Sequence, residues 1–200
     1  NGLPLAELIQ RKLPLPCYLD NVSYLSALSV LQSPTDAQDI VYIHSSAGLG
    51  LGAICNGRLL RGCGGYAAEI ACIPLGNPDL TCPNCGGKGC IENDLGQRGM
   101  DTLDFPSLSP EERESLFRDR GGKLGELIAL LINLFDPSAV YVGGSAMAHY
   151  EDLAPYVQKV LQLRSRVNMQ RGVQIFHDPD SLQNIEVGIN QTVYENWDPI

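Results

Sequence analysis

The sequence has no apolar run close to the roughly 18 residues that a membrane-spanning helix needs. Its N-terminus lacks the basic region and apolar core of a secretion signal. Basic residues are scarce, with 14 Lys and Arg against 23 Asp and Glu and a formal net charge of −9. Because contacts to phosphates dominate nucleic-acid affinity, such a chain is a poor nucleic-acid surface. We therefore expect no membrane contact, and DNA binding only through a region outside these residues.

Disorder is excluded for most of the 200 residues, because 44% are hydrophobic and only 18% are charged, which suffices for a packed core. The length fits one ordinary domain or two lobes of a larger one. The first residue is Asn1 rather than Met, so we expect the chain to be part of a longer protein.

The chain has seven cysteines, and an odd number without a secretion signal indicates a reducing compartment rather than a disulfide framework. We therefore expect the protein to be cytoplasmic. Three cysteines form the motif Cys82-Pro-Asn-Cys85-Gly-Gly-Lys-Gly-Cys90, which we call the metal loop. Its two-residue gap lets two thiolates face one ion, and its glycines let the backbone turn back to deliver a third.

A tetrahedral zinc ion needs a fourth ligand, and four protein ligands would make the site structural rather than catalytic. The candidates for the fourth ligand are Cys72, the nearest upstream, His149 and His44. The alternative to a zinc site is a set of free thiols in a loop, and the spacing favours zinc.

Apolar periodicity predicts an alternation of strands and helices. Helices are predicted over residues 3–13, 22–31, 110–135, 148–163 and 185–196, with a candidate bend at Gly121-Gly122. Strands are predicted over residues 15–19, 40–43, 139–142 and 173–176. The alternation indicates an α/β fold.

A glycine-rich segment, Ser46-Ala47-Gly48-Leu49-Gly50-Leu51-Gly52, precedes Asn56-Gly57, a strong hairpin signal. We expect the segment to connect two antiparallel strands. That placement excludes a dinucleotide-binding fingerprint, which needs a helix after its glycines. Two interpretations stay open: backbone N–H groups that bind phosphate, or a tight hairpin between crowded strands.

Two carboxylates are candidates for a binding site. Glu69 is the one carboxylate in the apolar stretch 64–75, and a buried carboxylate is costly unless it is paired. The alternative for Glu69 is a salt-bridged surface residue. Glu92 follows Cys90 by two positions, so it would be held wherever the metal loop holds it.

The order of these pieces resembles one family, the ROK proteins (repressor, open reading frame, kinase). The family's Cys-x-Cys-Gly-x-x-Gly-Cys-x-Glu knuckle resembles Cys82 to Glu92, with one residue inserted between the first two cysteines. Its second phosphate loop, Gly-Thr-Gly-Ile-Gly-x-Gly, resembles residues 46–52. Its Gly-Gly motif, near the nucleotide's adenosine, resembles Gly143-Gly144.

The resemblance implies the ribonuclease H-like α/β fold shared with actin and hexokinase, mainly its C-terminal lobe, with a zinc knuckle. It implies a partial ROK domain over residues 1–200. Residues 1–33 would be a remnant of the N-terminal lobe and the crossover, and residues 34–200 the C-terminal lobe, with the knuckle at 72–92. Homo-oligomers are common in the family, so we expect one here.

The family's Glu-x-Gly-His motif supplies a sugar-contacting Glu and a zinc-binding His, and it reads Glu69-Ile70-Ala71-Cys72 here. The resemblance therefore implies a structural zinc site made of Cys72, Cys82, Cys85 and Cys90. It implies sugar contacts from Asn21, Glu69 and Glu92. It also implies phosphate-loop-like backbone at Ala47, Gly48, Gly50 and Gly52.

Other departures from the family pattern indicate that kinase chemistry is damaged. ROK kinases carry Asn-Asp after the strand that residues 15–19 resemble. That Asp takes the proton of the sugar hydroxyl as it attacks the γ-phosphoryl group. Here Asn21 matches the Asn and Val22 falls on the Asp, so we expect no catalytic residue. Asp20 would serve only after a slip of two positions, and Ala47 removes the hydroxyl donor of the phosphate loop.

The favoured interpretation is the sugar-sensing effector domain of a ROK-type transcriptional regulator, which keeps the sugar cleft but needs no phosphoryl transfer. The first alternative is a ROK sugar kinase acting on a hexose or an N-acetylhexosamine, and only that alternative requires ATP and Mg²⁺. The second alternative is a ROK-like scaffold that has lost the sugar site.

Overall fold

The computed structural model describes residues 3–13, 15–31 and 37–196. The helices and strands in these ranges are α1 (Leu5–Gln10), α2 (Val22–Leu31), β1 (Ile40–Ser45), β2 (Leu49–Cys55), β3 (Arg58–Leu59), α3 (Glu92–Leu95), α4 (Gln97–Met100), α5 (Pro110–Phe135), β4 (Ala139–Gly143), α6 (Tyr150–Arg164), α7 (Arg166–Arg171), β5 (Gln174–Asp178) and α8 (Ser181–Asn196). The α/β prediction is confirmed. No helix in these ranges combines the length and the apolar character that a membrane span requires.

The strands of the described residues form one sheet in the order β3-β2-β1-β4-β5. Strand β1 pairs antiparallel with β2 and parallel with β4, and β4 pairs parallel with β5. The predicted antiparallel pair is therefore present. Asn56 and Gly57 form the next turn, between β2 and β3, with φ of +51° and +72°. Positive φ at both central residues suits a two-residue hairpin turn.

Helices cover both faces of the sheet. Successive residues of a strand point to opposite faces, so neighbouring residues of β1 belong to different cores. Val41 and Ile43 of β1 and Val140 of β4 belong to a large aliphatic core with α5 and α6, on what we call the α5–α6 face. Ile40 and Tyr42 pack on the opposite face with α2, which in turn contacts α8. We call this the α2–α8 face.

Helix α5 spans 26 residues and begins at a capping box, in which the Ser109 side chain accepts from the Glu112 N–H and the Glu112 side chain accepts from the Ser109 N–H. The helix continues without interruption through Gly121-Gly122, and a bend at this point stays a prediction. Gly121 instead permits close packing on α6, because a Cβ at that position would lie 2.7 Å from Tyr156 Cβ.

Helix α2 lies in very close contact with strand β2 on one side and helix α8 on the other. A Cβ on Gly52 of β2 would lie 2.3 Å from the Ser23 carbonyl oxygen. A Cβ on Gly188 of α8 would lie 2.0 Å from the Leu25 carbonyl oxygen. Neither glycine can carry a side chain in this arrangement, so α2 is held backbone to backbone at both positions.

Residues 15–19 do not form the predicted strand. A strand needs a hydrogen-bonding neighbour, and Pro16 has no N–H to donate. The segment instead passes the end of α8, where Tyr18 Oη donates to the Asn196 carbonyl at 2.8 Å. The predicted domain boundary between residues 33 and 34 lies outside the described residues.

Candidate metal centre and adjoining cavity

The four cysteines predicted as metal ligands come together at one point. Their Sγ atoms all lie within 4.8 Å of one another: Cys72, Cys82, Cys85 and Cys90. Four thiolates around one zinc ion at zinc–sulfur distances of about 2.3 Å are about 3.8 Å apart, so the cluster fits tetrahedral zinc. The four thiols are clustered as a metal site requires, and a bound zinc ion in place of free loop thiols stays a prediction.

Neither histidine considered as the fourth ligand is in the cluster, so both of those candidates are wrong. His44 is buried in β1, where its Nδ1 is 3.1 Å from Ser26 Oγ. His149 precedes α6, and its Nε2 is 2.8 Å from Asp104 Oδ1. Cys72 is the fourth member, as the resemblance implied.

The glycines of the metal loop turn the backbone as predicted. Gly86 and Gly89 have φ of +72° and +75°, a conformation that residues with side chains rarely adopt. The Cys82 N–H donates to the Gly87 carbonyl at 2.7 Å, which closes the turn. The Gly87 N–H lies 3.4 Å from Cys85 Sγ and, with the neighbouring thiols, lowers the pKa of Cys85 to about 7. The contact with Cys85 and burial raise the pKa of Cys72, and burial and the same contact raise the pKa of Cys90, so of these three thiols Cys85 most readily becomes the thiolate that binds metal.

A buried ion-pair network attaches the beginning of the metal loop to α5. Asp94 of α3 is fully buried, and its Oδ1 accepts from Arg120 Nη1 at 2.7 Å and from Lys123 Nζ at 2.8 Å. Its Oδ2 accepts from the Asn77 N–H at 2.6 Å. One carboxylate thus fixes the chain just before the metal loop to the longest helix of the α5–α6 face.

This network was not predicted from the sequence. The available signal was weak: a single Asp between Ile91 and Leu95, and two cations three residues apart where α5 becomes apolar. The pairing spans 26 and 29 residues, so no local pattern connects the partners.

Glu92 lies where the metal loop meets the β1–β2 hairpin, in agreement with its predicted place beside the metal loop. Its Oε2 accepts from the Leu49 N–H at 3.0 Å, and its Oε1 accepts from the side-chain amide of Asn84. Glu92 and Asn84 line a cavity of about 420 Å³. Other residues that line this cavity are Ala47, Asn93, Gln97 and Arg98.

Asn21 lies at the start of α2, the helix that packs on this hairpin. It precedes α2, and its Oδ1 accepts from the Ser23 N–H at 3.0 Å and from Ser23 Oγ at 2.8 Å, as a helix cap does. Ser23 Oγ is also 3.2 Å from the Leu51 carbonyl oxygen. Because Leu49 and Leu51 are two residues apart in β2, Ser23 and Glu92 contact the same short stretch of strand, and Asn21 is linked to it through Ser23.

Glu69 is exposed, so the predicted burial of this carboxylate is wrong. Its neighbour Ile70, which is 3% exposed, occupies the core position instead. The chain then runs beside the cavity, because the Ala71 carbonyl accepts from the Glu92 N–H at 3.2 Å. A sugar contact by Glu69 stays a prediction.

Position 22, where the resemblance places the general base, is an exposed valine. Asp20, the alternative base after a slip of two positions, is bound by Arg61 through both oxygens, at 2.9 and 2.6 Å. Neither position offers a free carboxylate.

Close packing accounts for several glycines of the glycine-rich segment. A Cβ on Gly50 would lie 2.9 Å from Ser23 Oγ, and a Cβ on Gly48 would lie 3.2 Å from Glu92 Oε2. Gly52 contacts α2 as described above. The tight-hairpin interpretation therefore explains these positions, and phosphate binding by this segment stays a prediction.

Gly143 and Gly144 lie at the carboxyl end of β4. A Cβ on Gly143 would lie 2.2 Å from Tyr42 Oη, so the site requires glycine. Gly144 has a φ of +101°, and its N–H donates to Ser181 Oγ at 2.9 Å. A second cavity, of about 450 Å³, opens beside Gly144. Ligands of open α/β sheets bind at this edge, and a nucleotide here stays a prediction.

The model of the ROK family matches residues 1–183. The chain belongs to the ROK family. The xylose repressor of Caldicellulosiruptor bescii is 26% identical over 82% of this ROK chain and 48% of its own length. The N-acetylmannosamine kinase of Salmonella typhi is 29% identical over 71% of this ROK chain and 54% of its own length. The ROK chain thus spans about half the length of these curated relatives.

Solved ROK proteins share the fold. A ROK family transcriptional regulator, a homologue of the E. coli MLC protein, has a TM-score of 0.77 at 22% identity over 96% of this ROK chain and 56% of its own. A ROK glucokinase from Streptomyces griseus, solved with glucose and AMPPNP, has a TM-score of 0.82 at 21% identity. The match covers 96% of this ROK chain and 73% of the glucokinase. The prediction of an actin/hexokinase-type fold is confirmed.

Proposed function

We propose that this chain is the sugar-sensing effector region of a ROK-type transcriptional regulator. The observation that carries the proposal is the valine at position 22, because a sugar kinase needs a carboxylate there to take the hydroxyl proton. Asp20 does not replace it, since Arg61 binds both of its oxygens. The similarity to xylose repressors supports a regulator. With a net charge of −9, these residues would leave DNA contact to another part of the protein.

The sugar would bind beside the β1–β2 hairpin, contacted by Asn21, Glu69 and Glu92. Glu92 accepts from the Leu49 N–H of β2 and lines the cavity of about 420 Å³, and Asn21 is linked to Leu51 of the same strand through Ser23. Binding between two lobes would favour the closed arrangement, and that closure would be the signal passed to the DNA-binding part.

A zinc ion held by the four cysteines would be structural, because four thiolates leave no open position for a reacting water. When bound, the ion supplies a cross-link between residue 72 and the metal loop. The chain's own residues then hold the cavity wall: Asp94 fixes the segment before the metal loop on α5, and Glu92 connects the end of the loop to the hairpin.

The second candidate is a ROK sugar kinase acting on a hexose or an N-acetylhexosamine with ATP and Mg²⁺. The similarity to N-acetylmannosamine kinases and the cavity beside Gly144 favour it. The residues at positions 20 and 22 argue against it, for the reasons given above.

Calorimetric titration of the complete protein with D-xylose, D-glucose and N-acetylmannosamine tests the sugar-sensing proposal. We expect one of these sugars to bind, and Glu69→Ala to weaken its binding about tenfold, as expected for the loss of a charged hydrogen bond. Glu69 is exposed, so this change should leave the fold intact. Glu111→Ala, at an exposed position of α5, is the matched control and should bind normally. Absence of binding, or equal affinity of Glu69→Ala and the unaltered protein, would contradict the proposal.

A coupled assay of ATP consumption with the same sugars and Mg²⁺ tests the kinase candidate. We expect no rate above that measured without sugar, because position 22 offers no proton acceptor. Sugar-dependent consumption of ATP would contradict the regulator proposal and support the kinase.

A further inference from the structure

The metal loop has one residue more between its first two cysteines than the family knuckle that it resembles. The gap contains Pro83 and Asn84. Asn84 is exposed, and its side-chain amide donates to Glu92 Oε1. The longer gap therefore contains a residue, Asn84, whose carboxamide lies directly against Glu92, the carboxylate that we propose contacts the sugar.

The protein already uses both oxygens of Glu92. Oε2 accepts from the Leu49 N–H at 3.0 Å, and the hairpin backbone is so near that a Cβ on Gly48 would lie 3.2 Å from this oxygen. Oε1 accepts from Asn84. A carboxylate oxygen has about two acceptor positions, so one remains on Oε1. A ligand hydroxyl that uses this remaining position lies next to the Asn84 amide.

Asn84 can itself bind a ligand in this cavity. A carboxamide has an acceptor oxygen and two N–H groups, and one of these N–H groups contacts Glu92. A second carboxamide, that of Asn93, lines the same cavity, and its Nδ2 is buried without a hydrogen-bond partner among the described residues. The cavity wall therefore places the Asn84 carboxamide, which keeps a donor and an acceptor, directly against Glu92, as a ligand with adjacent hydroxyls requires.

We infer that Asn84 is a specificity-determining residue, which contacts the hydroxyl adjacent to the one bound by Glu92. The inference rests on the proposed function, because it requires a sugar in this cavity. An epimer in which the hydroxyl that faces Asn84 is inverted loses the contact with Asn84 while it keeps the contact with Glu92. A site that hydrogen-bonds a substrate hydroxyl discriminates against an analogue that cannot make the bond.

Asn84→Ala in the complete protein tests the inference, by zinc analysis and by titration with D-glucose, its epimers at C2, C3 and C4, D-xylose and N-acetylmannosamine. We expect one zinc per chain. The affinity for the best-bound sugar should fall about 5- to 10-fold, and its preference over the epimers should shrink by a similar factor. Lys88→Ala is the matched control: this exposed residue is in the same loop, and its pairing with Thr81 is a backbone bridge. It should bind every sugar as the unaltered protein does.

The outcomes separate the inference from the proposed function. If the unaltered protein binds a sugar and Asn84→Ala keeps the same preference among epimers, the inference is overturned and the proposed function stands. A uniform loss for all sugars also overturns it, because that pattern marks a residue that only positions Glu92. If the unaltered protein binds no sugar of the panel, both fail. Should Asn84→Ala contain less than one zinc per chain, Asn84→Ser replaces it, with the same loss of preference expected.

Discussion

The two faces of the sheet are built from different chemistry. On the α5–α6 face, the strands present aliphatic side chains such as Val41 and Ile43 to a continuous apolar core. On the α2–α8 face, the same strand β1 presents Tyr42 and His44. Tyr42 Oη donates to Asp178 Oδ2 at 2.6 Å, and His44 lies beside Ser26 of α2. Buried apolar surface stabilises the α5–α6 face, whereas the α2–α8 face adds directional hydrogen bonds to a smaller apolar cluster.

The two faces therefore differ in how their helices are attached to the sheet. The metal loop is attached to the α5–α6 side through Asp94, whereas Asn21 begins the helix that covers the polar face. Hydrogen bonds between buried groups specify one arrangement, and breaking any of them leaves an unsatisfied group. We therefore expect single substitutions on the two faces to differ in how much they lower the free energy of unfolding and in how that loss depends on pH.

The largest effect is expected at Asp94, where the α5–α6 face meets the metal loop. Asp94→Ala leaves Arg120, Lys123 and the Asn77 N–H without their buried partner, and removal of one member of a buried pair costs about 3–5 kcal/mol. Denaturant unfolding measures the loss. Asp119→Ala is the control, since Asp119 contacts the same two cations from a 45% exposed position and should cost less than about 1 kcal/mol. Equal losses for both variants would show that the buried network is not what fixes the loop.

Tyr42→Phe tests the hydrogen bonds of the α2–α8 face. Burial and the neighbouring Asp178 raise the pKa of Tyr42, so the phenol stays protonated and donates. Its removal should cost about 1.5–3 kcal/mol in the free energy of unfolding, as for a hydrogen bond to a charged group. Tyr141→Phe is the control, because Tyr141 is buried on the same face and the described residues show no hydrogen bond from its hydroxyl. A Tyr42→Phe protein as stable as Tyr141→Phe would remove the distinction between the faces.

Gly52→Ala tests the close contact between β2 and α2. The added methyl group would lie 2.5 Å from Ala27 Cβ as well as against the Ser23 carbonyl, and overpacking of this kind costs about 1–3 kcal/mol. Gly122→Ala in α5 meets nothing within 4 Å and should instead stabilise by up to about 1 kcal/mol. Thermal unfolding of the two variants in parallel gives the sign, and a stabilised Gly52→Ala would mean that α2 can move away from the strand.

The smallest expected effect is a pH dependence from His44. Burial lowers the pKa of His44 below its ordinary value of 6.5, and Asp178 partly opposes this shift. The unfolded chain therefore takes up the proton first, so the stability supplied by neutral His44 is present above pH 6.5 and decreases as the pH falls below it. We expect the unfolding free energy between pH 8 and 5.5 to fall more steeply for the unaltered protein than for His44→Gln. Parallel curves would exclude a contribution from His44.

Features whose chemistry lies within a few residues could be predicted from the sequence. The spacing of Cys82, Cys85 and Cys90 requires glycines with positive φ, and Gly86 and Gly89 have it. Runs of β-branched residues predicted β1 and β4, because such side chains fit a sheet buried on both faces.

Features that depend on a distant partner could not be predicted. Residues 15–19 have the composition of a strand but no neighbour to pair with. Glu69 is exposed because Ile70, one position later, points into the core. Asp94 has the sequence environment of any surface aspartate, and only the fold brings Arg120 and Lys123 to it.

The two glycines that clamp α2 have a mechanical consequence. Gly52 and Gly188 bring the backbones of β2 and α8 against opposite sides of this helix, with no side chains between them to rotate or compress. At these two contacts α2 cannot shift towards β2 or α8 by rearranging side chains, so a movement of the helix requires the strand or α8 to move with it.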